Sequence, residues 1–215
     1  MKKRFKSISL ADQVFDKLED DIILGVYPRG QILTELGLAE ELGVSRTPIR
    51  EALRRLEQER LIADNGKGSV VLGITEDDLL DIMNIRERIE GLAAYYAAKN
   101  ITPEAVQELE HLIDLQDFYF SKHDVEQLRY VDDDFHDAIS HLSGRMVICD
   151  TLIPLHRKTR RYRRLVMGDW DRAAQVTKEH RAIAQAIAEG NGDLAQELMT
   201  RHIVHSKEQL IKEEV

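Results

Sequence analysis

Cysteine is almost missing from this chain. Cys149 stands alone among 215 residues. No internal disulfide can form, and a reducing cytoplasm is the expected setting. Long apolar runs are missing too: no stretch approaches the roughly 18 residues that a membrane span requires. The basic opening, Met1-Lys2-Lys3-Arg4-Phe5-Lys6, is followed by no apolar segment, so no secretory leader is expected. Prolines number 4 and glycines 12, which excludes a fibrous or low-complexity chain. Aromatics are scarce at 6%, and alternating β-branched runs are few, so the composition leans toward helix. A basic excess is also lacking. The formal net charge is -9, which taken whole argues against a nucleic-acid partner.

That charge is unevenly divided. Residues 1–73 carry 12 basic and 12 acidic side chains, whereas residues 74–215 carry 18 basic against 27 acidic. Within the first segment the acids gather at Asp12, Asp16, Glu19, Asp20, Asp21, Glu40 and Glu41. The bases gather at Arg46, Arg50, Arg54, Arg55, Arg60 and Lys67, beside the basic N-terminal tail. Such segregation permits a DNA-facing surface on an acidic protein, although a plain solvated helix face is the competing reading.

Apolar spacing predicts a helix over Leu10 to Leu24, with Val14, Leu18, Ile22 and Ile23 on one face. Gly25 ends it, and Tyr27-Pro28-Arg29-Gly30 makes a turn. A short helix follows from Glu35 to Leu42, stopped by Gly43. Ser45 is placed to cap a third helix with Pro48 in its first turn, running to about Glu59 and burying Ile49, Leu53 and Leu56. Leu61-Ile62 and Ser69 to Leu72 flank an Asn65-Gly66 turn, a hairpin signal. Helix, helix, turn, helix, hairpin is the order of a winged helix-turn-helix. The domain boundary falls near residues 73 and 74. Beyond it the spacing predicts six helices with short connections: to about Asn100, Pro103 to Lys122, Val125 to Leu142, Met146 to Met167, Trp170 to Glu189, and one capped by Asp193 to about Glu213. The expected fold is therefore mostly α, a winged helix-turn-helix over 1–73 and an all-α six-helix bundle over 74–215.

Leu38 to Leu56 is the most informative stretch. A recognition helix must offer its first turns to a major groove about 12 Å wide. Arg46 and Arg50 lie one helical turn apart and point the same way. Each can fork onto guanine O6 and N7 or clamp a phosphate. Ser45 and Thr47 are short donors suited to the backbone, and Gly66 and Lys67 at the hairpin tip can follow the sugar-phosphate edge. No aromatic residues interleave these bases, so stacking on single strands is not expected.

Gly43-Val44-Ser45-Arg46-Thr47-Pro48-Ile49-Arg50-Glu51-Ala52-Leu53, with Tyr27-Pro28, Gly30 and Leu33 upstream, resembles the GntR family of bacterial regulators over about residues 10–72. The resemblance implies that Arg46, Thr47 and Arg50 contact DNA, assisted by Ser45, Gly66 and Lys67. Leu36 departs from it, standing where many members carry a basic or polar residue. The second segment resembles the FCD ligand-binding domain of the FadR subfamily, through Arg86 to Ala94 and Asp132-Asp133-Asp134-Phe135-His136, with His180 and His202 on later helices. Asp132 and His136 are i, i+4 and share one helix side. The later separations of 44 and 22 residues match the metal-binding FCD members. One carboxylate and three imidazoles suit a divalent metal: zinc first, otherwise nickel, manganese or iron.

By the same resemblance, a small organic or sugar acid fills an open metal position, and Arg86 assists it. An ion pair between Arg86 and Glu90 is the competing reading. Arg157, Arg160, Arg161 and Arg163 are read as a solvated face, with some of them facing the pocket as the alternative; Cys149 is read as core and Trp170 as packing. The reading that follows is a bacterial transcription regulator, a repressor acting as a homodimer on a palindromic operator, with no membrane role. A metal-dependent enzyme and a direct metal sensor on the same Asp/His set are its rivals.

Overall fold

The computed structural model describes residues 9–213, so the basic tail lies outside the described residues. The chain forms two compact units that meet at Thr75 and Glu76.

The first unit opens with α1 (Leu10–Ile23). Ser9 and Asp12 close a reciprocal capping box at its start. Val14, Phe15, Leu18 and Ile22 form its buried stripe. β1 (Ile32–Leu33) leads into α2 (Glu35–Leu42), where the Thr34 side chain accepts from Gly37 N. Gly43, left-handed at φ 66, stops α2. α3 (Arg46–Gln58) buries Ile49, Leu53 and Leu56 against α1, as its spacing predicts. Ser45 stands at the N-cap position but makes no side-chain cap hydrogen bond. β2 (Ile62–Asp64) and β3 (Ser69–Val71) form the hairpin.

One strand escapes the sequence reading. β1 adds to β3, giving an antiparallel sheet in the order β1-β3-β2, with Ile32 opposite Val70 and Ala63 opposite Val70 on the other side. A strand of two residues is too short to show an alternation.

The second unit contains α4 (Glu76–Lys99), α5 (Pro103–Lys122), α6 (Val125–Leu142), α7 (Met146–Lys158), α8 (Arg160–Gly168), α9 (Trp170–Ala188) and α10 (Gly192–Glu213). Its core joins Met83, Leu109, Phe135, Ile139, Leu152, Ile183 and Ile203 from six of these helices. The bundle thus has seven helices among the described residues, not six. The run from Met146 to Met167 breaks at Thr159, which adopts φ -92, ψ 1. There Thr159 Oγ1 donates to the His156 carbonyl at 2.9 Å, a local bond that competes with helix continuation. The last helix is capped by Asn191, whose Oδ1 accepts from Leu194 N at 3.2 Å, and Asp193 lies inside its first turn. Trp170 packs between the rings of Phe120 and His123 at 4.4 and 4.3 Å. Cys149, read as core, is only half-buried, with Sγ 3.2 Å from His141 Nδ1.

Candidate functional sites: an arginine pair on α3 and a histidine cluster in the bundle

The amphipathic split of α3 turns Arg46, Thr47 and Arg50 outward while Ile49, Leu53 and Leu56 fix the helix from below. Arg46 and Arg50 are 60% and 67% exposed in their side chains. Both are held by one carboxylate. Glu35, the first residue of α2, accepts from Arg46 Nη2 at 2.6 Å and Nε at 3.2 Å, and from Arg50 Nε at 2.9 Å and Nη2 at 3.0 Å. Hydrogen bonds from Arg50 and then Arg46 lower the Glu35 carboxyl to about 2.

Ser45 leaves the first-turn N–H groups of α3 without a side-chain cap, and such groups favour an anion. Gly66 and Lys67 are exposed at the hairpin tip. The tip is shaped by Asp64 Oδ1 accepting from Gly66 N at 2.8 Å and Asn65 Oδ1 accepting from Lys67 N at 3.0 Å. Arg55 does not join this face. It turns onto α1, pairing with Asp12 at 2.7 Å and lying 3.9 Å from the Phe15 ring centre.

In the second unit, α6, α9 and α10 bring Asp132, His136, His180 and His202 together, all buried. His180 Nε2 lies 3.3 Å from His202 Nε2 and 3.6 Å from Asp132 Oδ1. His136 Nε2 lies 4.0 Å from Asp132 Oδ2. Ligand atoms of the three histidines all fall within 4.8 Å of one another.

The opposite ring nitrogens are each tied to an oxygen acceptor. His136 Nδ1 is 2.7 Å from Glu90 Oε2, His180 Nδ1 is 3.1 Å from Gln116 Oε1, and His202 Nδ1 is 2.7 Å from Glu179 Oε2. Such acceptors place the proton on Nδ1 and aim Nε2 at the common point, the arrangement seen behind metal-bound histidines. Burial pushes the His180 and His136 imidazoles well below their usual range. Burial likewise raises the Asp132 carboxyl.

Buried acceptors from three helices therefore converge with too few protons between them. A divalent cation fits that donor set. Two nitrogens bound to tetrahedral zinc at about 2.0–2.1 Å stand roughly 3.3 Å apart. A second group, Glu90, His136 and His156, is also close enough to hold an ion. It is the poorer cation site, because the Arg86 guanidinium already pairs with Glu90. Burial opposes ionisation of Glu90, yet the Arg86 guanidinium, with the hydrogen bond from His136, holds its carboxyl well below the usual range.

Beside the cluster lies a cavity of about 20 Å³, lined by Arg86, Asp132, His136, Tyr162, Arg163 and His202 among others. Arg86 is buried, and its Nη1 lies 3.4 Å from Thr159 Oγ1. Arg163 overturns the reading of a solvated arginine face: it is 4% exposed. On α8 it continues the buried stripe of Leu152, His156 and Thr159, where it meets Asp132 at 3.3 Å and also pairs with Asp133. Its Nη2 is buried without a hydrogen-bond partner among the described residues. Glu90, Gln116, Glu179 and Arg163 are participants that sequence reasoning did not assign as site residues. Glu90, named as a competing partner for Arg86, and Arg163, one of four arginines with a pocket-facing alternative, left a signal.

A winged three-helix unit with outward arginines, followed by a helical unit with a buried polar cluster, defines a class: the DNA-binding transcription regulators. Comparison with known proteins narrows it. The model of the bacterial regulatory proteins of the gntR family matches residues 10–71, and that of the FCD domain matches residues 81–205. The chain belongs to the GntR family and carries an FCD domain. It is similar to the HTH-type transcriptional regulator McbR of Escherichia coli (strain K12), 33% identical over 150 residues, 69% of this chain and 68% of that protein. It is also similar to the HTH-type transcriptional repressor RspR of the same strain, 26% identical over 192 residues, 89% of this chain and 84% of that one. A solved structure of E. coli McbR/YncC shares the fold with a TM-score of 0.82 at 24% identity, covering 97% of this chain and 100% of that one. No helix of the described residues is long and apolar enough to cross a membrane.

Proposed function

We propose that this regulator represses transcription as a homodimer on a palindromic operator, and that a small carboxylate metabolite, bound beside a divalent metal in the FCD unit, relieves the repression. Residues 1–73 read DNA through Ser45, Arg46, Thr47 and Arg50, with Gly66 and Lys67 on the flanking backbone. Residues 74–215 hold the effector. RspR, to which the chain is similar, is a transcriptional repressor, which favours the sign. One winged unit buries too little surface for tight specific binding, which favours two half-sites.

The observation that carries the effector half is the convergence of His180 Nε2, His202 Nε2 and Asp132 beside a buried arginine nitrogen, Arg163 Nη2, that has no hydrogen-bond partner among the described residues. Asp132, His136, His180 and His202 would hold the metal, which would supply a Lewis-acidic position for a carboxylate. Arg163 Nη2 is the donor left over for that carboxylate. Arg86, engaged by Glu90, backs the site. The cavity of about 20 Å³ has room for an ion or one water, so the acid must open it further.

The test is a thermal-shift screen of carboxylic and sugar acids on metal-loaded protein, since a ligand of the folded state raises Tm by mass action. Metal content is measured alongside. His180→Ala is expected to lose both metal and acid response. Arg163→Gln is expected to keep metal and lose the acid response. Full metal content in His180→Ala would overturn the ligand set. An unchanged acid shift in Arg163→Gln would overturn the role of Arg163.

A further inference from the structure

We propose that Glu35 is a positioning residue for DNA recognition: it clasps Arg46 and Arg50 side-on, offers only their end-on donors to a base-pair edge, and lowers their pull toward bare phosphate. The inference rests on the reading of α3 as the recognition helix and adds a device that sets its selectivity.

The geometry is specific. A guanidinium carries five N–H donors in a fixed fork. On both arginines the contacts to Glu35 come from Nε and Nη2, the side-on edge. Nη1 and the second hydrogen of Nη2 remain for a partner in front. That end-on pair can still fork onto guanine O6 and N7. The carboxylate therefore leaves base reading open while restricting each fork to one plane. Long arginine side chains otherwise lose rotamer freedom when they bind, and a clasp made beforehand removes part of that cost.

The charge acts in the same direction. Two cations and one anion present a net single positive charge to the duplex, and the anion stays near any phosphate the arginines approach. Specific and non-specific binding are therefore affected unequally. Non-specific binding is almost wholly a phosphate and counterion effect, so it suffers most from the carboxylate. Specific binding recovers the difference through base edges. With its carboxyl lowered to about 2, Glu35 is anionic throughout the working pH range. Thr34 caps α2 immediately before Glu35, so the clasp springs from a fixed helix start.

The experiment uses the full-length protein and two duplexes of equal length: one selected from a random library by the wild-type chain, and one with that sequence scrambled. Affinities are measured across a salt series. Glu35→Gln is expected to tighten binding to the scrambled duplex about fivefold or more, to steepen its salt slope by about one per recognition helix, and to lower the ratio of selected to scrambled affinity about tenfold. Glu40→Gln removes the same charge from the same helix without touching either arginine, and is expected to leave the ratio within about twofold. Equal weakening on both duplexes in Glu35→Gln would mark the residue as mere support for α2 and overturn the proposal, as would a Glu40→Gln effect of the same size. Arg50→Ala keeps the two ideas apart. If it binds the selected duplex as wild type does, the recognition-helix reading itself is lost. If it loses binding while Glu35→Gln changes nothing, only the clasp is lost.

Discussion

Single side chains in the histidine cluster make a pH prediction with a definite sign. Burial holds His136 and His180 neutral well below the ordinary imidazole range, whereas in the unfolded chain each takes up a proton near 6.5. Below that value the unfolded state binds more protons, so stability falls as pH falls. Asp132, raised by burial, works in the opposite direction, but it is one group against two. Protein stripped of metal by a chelator is therefore expected to lose Tm steadily from pH 7 to pH 5. A flat or rising Tm over that window would mean that the imidazoles are not buried as neutral groups. The four cluster residues were legible in the sequence because i, i+4 spacing is a local property of one helix, and the resemblance supplied the two later histidines. Glu35 was not legible as a clasp. It meets Arg46 and Arg50 across 11 and 15 residues, and only the crossing of α2 and α3 sets that contact. Arg163 was less plain: Leu152, His156, Thr159 and Arg163 share one buried stripe at steps of four, three and four, but the neighbouring Arg157, Arg160 and Arg161 make the run read as solvated.

At the scale of elements, the cluster depends on how closely α4 and α10 approach. Gly91 makes the approach possible. A Cβ there would stand 2.4 Å from Thr200 Oγ1 and 3.1 Å from the Gln196 carbonyl. The first can turn aside, but the second is backbone and the helix must move. α4 carries Glu90, which orients His136, and α10 carries His202 itself. Gly91→Val is therefore expected to destabilise the bundle by about 1–3 kcal/mol through overpacking. It should also weaken zinc binding about 10- to 100-fold, the usual cost of disturbing groups behind the ligands. Competition against a coloured chelator measures the second effect. Wild-type zinc affinity in Gly91→Val would show that the helix approach does not set the site. Several element starts and stops were readable, because such signals act locally: Gly43 ends α2 and Pro103 opens α5, whereas Ser45 and Asp193, read as caps, make no cap bond. β1 and the seventh bundle helix were not, since a two-residue strand exists only by pairing with β3, and the break at Thr159 follows no glycine or capping signal.

The whole molecule joins an acidic helical unit to a charge-balanced winged unit, and linkage governs what passes between them. If an acid bound beside the metal weakens the operator by some factor, the operator must weaken the acid by the same factor. A coupling of about 1–3 kcal/mol corresponds to about 5- to 150-fold, within reach of titration calorimetry. The acid that gives the largest thermal shift is titrated into metal-loaded protein, free and saturated with the selected duplex. Operator affinity is then measured with and without saturating acid. The two ratios are expected to agree and to exceed fivefold. Ratios of one on both sides would leave the acid a bystander, whatever its affinity. Chelated protein separates the remaining possibility, in which the ion itself is the signal. It is expected to keep its operator affinity and lose its response to the acid, because the carboxylate has lost the position it fills. Were chelation alone to shift operator affinity by the full factor, the histidine cluster would be the sensor and the metabolite would have no part in the switch.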